Sequence, residues 1–233
     1  PLPRMILAQV EIRDRSQASC VADDGFCPGW IVDNLDRYRE PLEEHVVLTV
    51  TSVGIGFAIA TLLALAAYRW RWLVPPIVNV TGILYTIPSV AAFFLLLPLT
   101  GRGQDTAIVA LTAYTLLILF RNMIDGLESV PEEARDAGRG MGLTHSQLLW
   151  RVEIPLALPA ILAGLRVATT TTVGLAALAF FAGAGGLGAV INADLSFKSD
   201  VVMASVLCVV LAAVLDGLIL LAQRALTPWS RVA

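Results

Sequence analysis

The sequence predicts an all-α integral membrane protein, and three observations support that fold class. Hydrophobic residues make up 57% of the 233-residue chain and charged residues only 15%, with a mean hydropathy of +0.75, whereas soluble domains average about 25% charged residues. The chain contains five apolar stretches near the roughly 20 residues that a helix needs to cross a bilayer. Each stretch is continuously apolar, not alternating, which excludes a membrane β-barrel.

The five predicted spans run from Val46 to Tyr68, Leu73 to Leu99, Thr106 to Met123, Leu156 to Phe181 and Val201 to Ala222. The second contains Pro88 near its middle, where a proline removes a backbone donor and is expected to bend or break the helix. We therefore expect one transmembrane domain, residues 46–228. It is preceded by an external segment with an amphipathic helix, residues 1–45, and followed by a cytoplasmic tail, residues 229–233.

The distribution of positive charge predicts an external N-terminus and a cytoplasmic C-terminus. If the first span runs inward, eight arginines face the cytoplasm and only Arg102 and Lys198 lie in outer loops, which is the bias expected of cytoplasmic loops. The eight are Arg69, Arg71, Arg121, Arg135, Arg139, Arg151, Arg224 and Arg231. Nothing before Cys20 combines a basic start with an apolar core, so we expect no cleavable signal.

Cysteines occur at three positions of the chain. Cys20 and Cys27 are separated by six residues in the external segment, where oxidising conditions favour a small disulfide loop; two unpaired thiols are the alternative. Cys208 lies inside an apolar span and is expected to be a small packing residue.

The longest cytoplasmic loop, residues 121–155, is predicted to hold two short helices. Its helix-start signals are a capping Ser129, Pro131 in the first turn, and the acidic Glu132 and Glu133. Three glycines, Gly138, Gly140 and Gly142, are then expected to interrupt the first helix. Residues 144–154 form the second, amphipathic helix, which Pro155 is expected to end.

This loop resembles the coupling segment of ABC importer permeases, whose signature reads Glu-Ala-Ala, three residues, Gly, nine residues, Ile-x-Leu-Pro. The matching positions are Asp136, Ala137, Gly138, Gly142, Val152, Ile154 and Pro155. The spacing matches throughout, with Asp for Glu, Gly for the second Ala, Val for Ile and Ile for Leu. The strings "LALPAILAGLR", "FAGAGGLG" and "GILYTIPS" are most similar to the osmoprotectant branch, which imports glycine betaine, choline, carnitine or proline.

The resemblance implies a five-span permease core in the inner cell membrane that forms half of a translocation pore by alternating access. It implies four partners besides the lipid bilayer: two cytoplasmic ATPase subunits, which carry ATP and Mg, a second permease subunit, identical or paralogous, and an external substrate-binding protein. The coupling segment would then act as a lever on the fourth span. Tyr85, Pro88, Ser89 and Phe93 are the candidate residues of the translocation path.

Several alternatives remain open at this stage. The solute can be another small molecule, such as ergothioneine or an amino acid, and the chain can instead be a self-contained secondary carrier or a membrane-anchored receptor. Five aromatic rings can provide cation–π contacts along the path, or they can instead pack against other side chains or contact lipid. They belong to Tyr85, Phe93, Phe94, Phe180 and Phe181.

Other motifs carry no catalytic or binding role. Residues 183–188 satisfy G-x-G-x-x-G, but they follow a membrane span and belong to no βαβ unit. The chain contains no G-x-x-x-x-G-K-[ST], so ATP cannot bind here through a P-loop. His45 and His145 are isolated, which argues against a metal site, and no catalytic residues, cofactor or nucleic-acid partner are expected.

Two charges inside the predicted spans are expected to pair. Arg166 lies ten residues beyond Leu156, and Asp216 lies eight residues before Arg224, so both are roughly 12 to 15 Å from the cytoplasmic end. A lone charge at such a depth is costly and seeks a partner. The alternative is that Arg166 extends to the cytoplasmic surface while Asp216 faces a water-filled cavity alone.

Overall fold

The structure is a computed structural model that describes residues 25–231, and these residues form helices and no strand. Four single helices are long and apolar enough to cross a membrane, and a bent pair supplies a fifth candidate span. In chain order, the spans are Arg39–Arg69, the pair Val74–Thr86 and Ser89–Thr100, Gln104–Glu128, Ile154–Ala176 and Lys198–Leu226.

Shorter elements connect these spans. They are the helices Pro28–Asp33, Glu132–Gly140, His145–Leu148 and Leu187–Ala193, the 3-10 turns Leu35–Tyr38, Arg71–Leu73, Ala179–Ala182 and Pro228–Arg231, and a π-helical turn, Leu149–Glu153. We call the end of the bundle that carries residues 128–154 the loop end. The end that carries residues 101–103 and 183–188 is the opposite end.

The helices extend past most of the predicted apolar stretches, because helix caps and charged turns continue beyond the apolar core. The fourth span is the exception at its C-terminal end, since the helix stops at Ala176 although the apolar run continues to Phe181. Phe180 and Phe181 lie in the turn Ala179–Ala182, which ends at Gly183 with a positive φ of 78°. A left-handed residue of this kind ends a helix and favours glycine.

The third span lies at the centre of the bundle and packs against the first, second and fourth spans. Small residues permit this close approach: a Cβ added to Gly56 of the first span would collide with Thr115, and one added to Gly164 of the fourth span would collide with Asn122. Close backbone contact through small residues is the usual way in which membrane helices associate.

The fifth span lies at the edge of the bundle, where it packs against the fourth span and the helix Leu187–Ala193. Only 11% of its most apolar segment is buried, so most of this span is free to face lipid or another chain. Cys208, which is not in a disulfide, is half-buried and packs beside the cluster of Leu187, Val190 and Ala204.

Candidate functional site

The loop between the third and fourth spans begins with the helix Glu132–Gly140, which we call the loop helix. Its cap position is occupied by Pro131, and Ser129 instead ends the third span, where its hydroxyl donates to the Gly126 carbonyl at 2.8 Å. The prediction of Ser129 as the cap was therefore wrong, because the third span runs one turn further than its apolar stretch. Hydrogen bonds donated by Arg139 and Arg135 lower the pKa of Glu132 in the first helical turn.

Only one of the three loop glycines interrupts the loop helix. Gly142 has a φ of 76°, and the Leu143 N–H closes the turn by donating to the Gly138 carbonyl at 3.2 Å, a common way to end a helix. Gly138 lies within the helix, and a Cβ there would approach Leu148 Cδ1 to 2.6 Å. Gly138 therefore lets the two loop helices of this chain pack together, whereas Gly140 and Gly142 have open space beside them.

Beyond the turn, the second loop helix does not end at Pro155. A capping box formed by Thr144 and Gln147 starts it at His145, and the helix continues through the π-helical turn into the fourth span without a break from His145 to Ala176. The expected stop at Pro155 was wrong. A proline is tolerated near the start of a helical segment, and the wider π-helical turn before it accommodates the missing N–H.

Arg135 holds the loop against the spans. Its Nη2 donates to the Leu127 carbonyl at the end of the third span at 2.7 Å, its Nε donates to Glu153 Oε1 at 2.9 Å, and its Nη1 donates to Glu132 Oε2 at 3.1 Å. Glu153 is buried, with a side chain only 3% exposed, and Arg135 is 19% exposed. The sequence signature did not identify either residue, although a glutamate two positions before Pro155 in an apolar segment was a usable signal.

A cavity of about 270 Å³ lies between the loop helix and the ends of the first and third spans. Tyr68, Arg135, His145 and Glu153 are among its lining residues. The rings of Tyr68 and His145 are stacked with centroids 5.1 Å apart, so His145 contributes to contact between the loop and the first span.

The signature residues of the loop fall into two groups. Asp136, Ala137 and Gly142 are exposed, and Met141 and Trp150 expose 73% and 58% of their surface at the same end. By contrast, Gly138 is buried, while Val152, Ile154 and Pro155 are half-buried at the base of the fourth span. The exposed group forms a surface that another protein can contact, and the second group connects that surface to the span.

The second span is broken at its centre. Its first helix ends at Thr86, Ile87 is extended with a ψ of 126°, and the second helix starts after Pro88, with a bend of 98°. The Tyr114 hydroxyl donates to the Ile87 carbonyl at this break, and the Tyr85 ring packs against the edge of the Tyr114 ring at 5.9 Å.

The four candidate path residues do not share one environment. Tyr85 and Pro88 are exposed and Ser89 is half-buried, but Phe93 is fully buried in a cluster with Leu48 and Leu111. Phe93 therefore packs the core in this structure, because its helix turns this side chain toward the first and third spans, and its place on the path stays a prediction.

Arg166 and Asp216 lie opposite each other on the fourth and fifth spans. Arg166 Nε donates to Asp216 Oδ1 and Arg166 Nη2 donates to Asp216 Oδ2, both at 2.7 Å. This two-pronged geometry is the favoured one for an arginine and a carboxylate. The pair joins the fifth span to the helix that is continuous with the loop.

At the opposite end, the glycine-rich segment 183–188 wraps around an acidic side chain of the first span. The Gly186 N–H donates to Glu44 Oε2 at 2.8 Å, and Gly183, Gly185 and Gly186 all have positive φ. The segment is thus a tight turn held by the first span. Phe181 of the preceding turn packs against the rings of both Phe94 and Phe180.

The described part of the N-terminal segment is fastened to the start of the fifth span. Buried Asp200 accepts hydrogen bonds from the Tyr38 hydroxyl at 2.7 Å and from Arg37 at 2.9 Å, and the Cys27 N–H donates to Ser199 Oγ at 2.8 Å. Cys27 is disulfide-bonded. Cys20 lies outside the described residues, so its pairing with Cys27 stays a prediction.

Comparison with known proteins places these features in a family. The model of the family described as "binding-protein-dependent transport system inner membrane component" matches residues 53–232. The osmoprotectant import permease protein OsmW of Salmonella typhimurium is 38% identical over 208 residues, which cover 85% of this chain and 96% of the relative. The choline transport system permease protein OpuBB of Bacillus subtilis is 35% identical over 187 residues, which cover 79% and 86%.

Solved structures show the same fold. A chain of the MetNI methionine ABC transporter in an inward-facing conformation aligns with a TM-score of 0.72 and 23% sequence identity, covering 86% of this chain and 100% of that chain. A chain of an amino acid ABC transporter crystallised with histidines aligns with a TM-score of 0.66 and 18% identity.

Proposed function

We propose that this chain, which belongs to the family of binding-protein-dependent transport system inner membrane components, forms one half of the pore of an ATP-driven importer for osmoprotectants. The observation that carries the proposal is the exposed turn at Gly142, which is joined through one continuous helix, His145–Ala176, to the middle of the membrane. A surface turn with such a connection can convert movement of a docked protein into movement of a span.

The loop end is the cytoplasmic end in this proposal. Arg69, Arg71, Arg135, Arg139 and Arg151 lie at the loop end, in agreement with the enrichment of positive charge in cytoplasmic loops. The segment before the first span is then external, and the C-terminus is cytoplasmic. An external location suits the disulfide at Cys27.

The partners follow from this orientation. Two ATPase subunits, which bind ATP and Mg, dock on the exposed residues of the segment Asp136 to Gly142 in each permease half. A second permease subunit, identical or paralogous, completes the pore, and an external binding protein delivers the solute. The sparsely covered fifth span leaves surface for lipid and for the second permease.

Transport then proceeds by alternating access. When ATP closes the two ATPase subunits, the docked loops approach each other, and each fourth span moves with its loop. The fifth span follows because Arg166 and Asp216 join it to the fourth span. The resulting shift between inward-facing and outward-facing states requires that ATP and the loaded binding protein favour one state over the other.

The proposed solutes are quaternary ammonium compounds such as glycine betaine, choline and carnitine, or proline, because the relatives named above transport osmoprotectants and choline. The exposed Tyr85 beside the break at Pro88 offers an aromatic face of the kind that such cations favour. Another small solute, such as ergothioneine or an amino acid, is the alternative. A screen of the cognate binding protein against betaine, choline, carnitine, proline and ergothioneine, by thermal shift or calorimetry, separates these solutes.

A secondary carrier is the less favoured alternative. Such a carrier needs carboxylates inside the membrane that bind the driving ion, but Asp216 already accepts two hydrogen bonds from Arg166. Uptake into vesicles that depends on ATP inside and on the binding protein outside supports the importer. Uptake driven by an ion gradient without ATP supports the carrier.

The docking surface is tested by Gly142→Trp in the reconstituted complex. Because Gly142 is exposed with open space around it, we expect the bulky ring to block the ATPase and abolish ATP-dependent uptake while the permease remains inserted and dimeric. Normal coupling of ATP hydrolysis to uptake in this variant would disprove docking at the turn.

Two control variants separate steric blocking from backbone strain. Gly142→Ala places a side chain on a residue with left-handed backbone, which costs about 1 to 2 kcal/mol, but it does not add the bulk of a tryptophan ring. Gly140→Trp introduces the bulk within the helix, where no positive φ is needed. We expect Gly140→Trp to resemble Gly142→Trp and Gly142→Ala to retain most uptake.

A further inference from the structure

The loop helix and the fourth span are connected at two places, through the continuous chain and through side chains, and the chain lacks some helical hydrogen bonds at the start of the span. Pro155 lacks an N–H, so it cannot donate to a carbonyl in the preceding turn, and Pro159 likewise leaves the Pro155 carbonyl without its usual donor four residues on. The start of the fourth span therefore lacks two backbone hydrogen bonds of a regular helix. The five residues before Ile154 form a π-helical turn, a feature that often occurs at functional sites.

The second connection is made by side chains. The Arg135 guanidinium donates to three elements at once: the end of the third span at Leu127, the loop helix at Glu132, and the π-helical turn at Glu153. A guanidinium can do this because its five N–H donors are fixed in one plane and point in several directions. A lysine ammonium carries the same charge but cannot donate hydrogen bonds in these three directions from one planar group.

The burial of Glu153 makes the loss of its cationic partner costly, although the Tyr68 side chain of the first span also interacts with this carboxylate. Glu153 is 3% exposed, and Arg135 donates the hydrogen bond that its Oε1 accepts. A buried carboxylate that loses its cationic partner is strongly disfavoured, because its charge is then neither hydrated nor paired. The base of the fourth span must therefore follow Arg135 when the loop helix moves.

From this geometry we infer that the Arg135–Glu153 ion pair is the positioning element that transmits movement of the loop helix to the fourth span. The inference rests on the proposed function, since it concerns the coupling of ATP hydrolysis to transport. It adds two residues outside the segment Asp136 to Gly142, and these residues act through the helix they hold.

The test is Arg135→Lys in the assembled complex, with Arg71→Lys as the matched control. Arg71 forms an ion pair with Glu128 at 2.7 Å beside the same cavity, but that pair joins the turn Arg71–Leu73 to the end of the third span and does not join the loop helix to the fourth span. Three quantities are measured: the yield of assembled complex, ATP hydrolysis stimulated by the loaded binding protein, and solute taken up per ATP hydrolysed.

We expect Arg135→Lys to assemble and to hydrolyse ATP within about twofold of the wild type, but to transport at least fivefold less solute per ATP. Arg71→Lys is expected to match the wild type in all three measurements. Equal transport per ATP in the two variants would overturn the inference. A purely structural role would instead lower yield, hydrolysis and uptake together, and that result also overturns it.

A double-mutant cycle tests the same pair independently of Arg135→Lys. Arg135→Gln, Glu153→Gln and the double variant are compared, and the double variant leaves no buried unpaired charge. If the two residues act as a unit, the double variant loses no more transport per ATP than either single variant. Additive losses would show that the residues act independently. Failure of the wild-type complex to couple ATP to uptake would count against the proposed function itself, not against the pair.

Discussion

Pro88 and Pro155 both follow an isoleucine in an apolar segment, yet the chain behaves differently at the two sites. At Pro88 the preceding Ile87 is extended, with φ −64° and ψ 126°, and the second span bends by 98°. At Pro155 the preceding Ile154 is helical, with φ −61° and ψ −47°, and one helix runs from His145 to Ala176. A proline disfavours a helical residue before it, so the continuous helix at Pro155 is the unusual case.

The difference lies in what surrounds each proline. The π-helical turn Leu149–Glu153 precedes Pro155, and Arg135 holds that turn to the third span. At Pro88 the surroundings favour the broken form, because Tyr114 satisfies the carbonyl of Ile87 that the break leaves free. One proline thus marks a fixed bend and the other lies in a continuous lever, and the four changes below test that distinction.

Replacing the proline at the bend should have the largest effect. Pro88→Ala removes the steric restriction on Ile87, which allows a regular helix through the break, and we expect at least a tenfold lower rate of uptake. Spin labels at Val80 and Leu95, both exposed, should move apart as the bend opens. Pro98→Ala is the control, because Pro98 lies within a helix that is not broken; an unchanged label distance in Pro88→Ala would contradict the assignment of the bend to this proline.

The second largest effect should come from removing the ion pair that attaches the fourth span to the fifth span. Asp216→Asn leaves Arg166 without its carboxylate, so we expect several-fold lower uptake or impaired assembly, with the order of preference among solutes unchanged. The exchange Arg166→Asp with Asp216→Arg should restore part of the uptake, since it rebuilds the pair with the ends reversed. A changed solute preference in Asp216→Asn would instead place this carboxylate in the solute path.

A smaller effect is expected from the hydroxyl that stabilises the bend. Tyr114→Phe keeps the ring but removes the donor to the part-buried Ile87 carbonyl, a loss of about 0.5 to 1.5 kcal/mol. We expect two- to fivefold lower uptake and a broader distance distribution between the labels at Val80 and Leu95. Tyr114→Leu, which also removes the ring contact with Tyr85, should be worse; equal activity of wild type and Tyr114→Phe would show that the bend needs no hydroxyl.

The sequence predicted the spans, the broken helix at Pro88 and the facing positions of Arg166 and Asp216, because apolar length, proline chemistry and residue depth are local or additive properties. It did not predict the Arg135 contacts or the burial of Phe93. Those depend on which helix faces are brought together, and a single sequence specifies a helix face only relative to its own axis. The same limitation explains the wrong stop at Pro155, since the π-helical turn that accommodates this proline is held by Arg135 from a different helix.

The smallest effect should come from replacing the proline in the lever. Pro155→Ala restores an N–H at a place where the helix already continues, so the backbone need not move, and alanine is the better helix former at an interior position. We expect less than a twofold change in uptake and an unchanged or slightly higher melting temperature of the detergent-solubilised permease. Pro159→Ala, one turn further into the same helix, is the control for a general stiffening of the fourth span. If Pro155→Ala instead reduced uptake as strongly as Pro88→Ala, then Pro155 would be a hinge in the transport cycle, and the fourth span could not be a continuous lever.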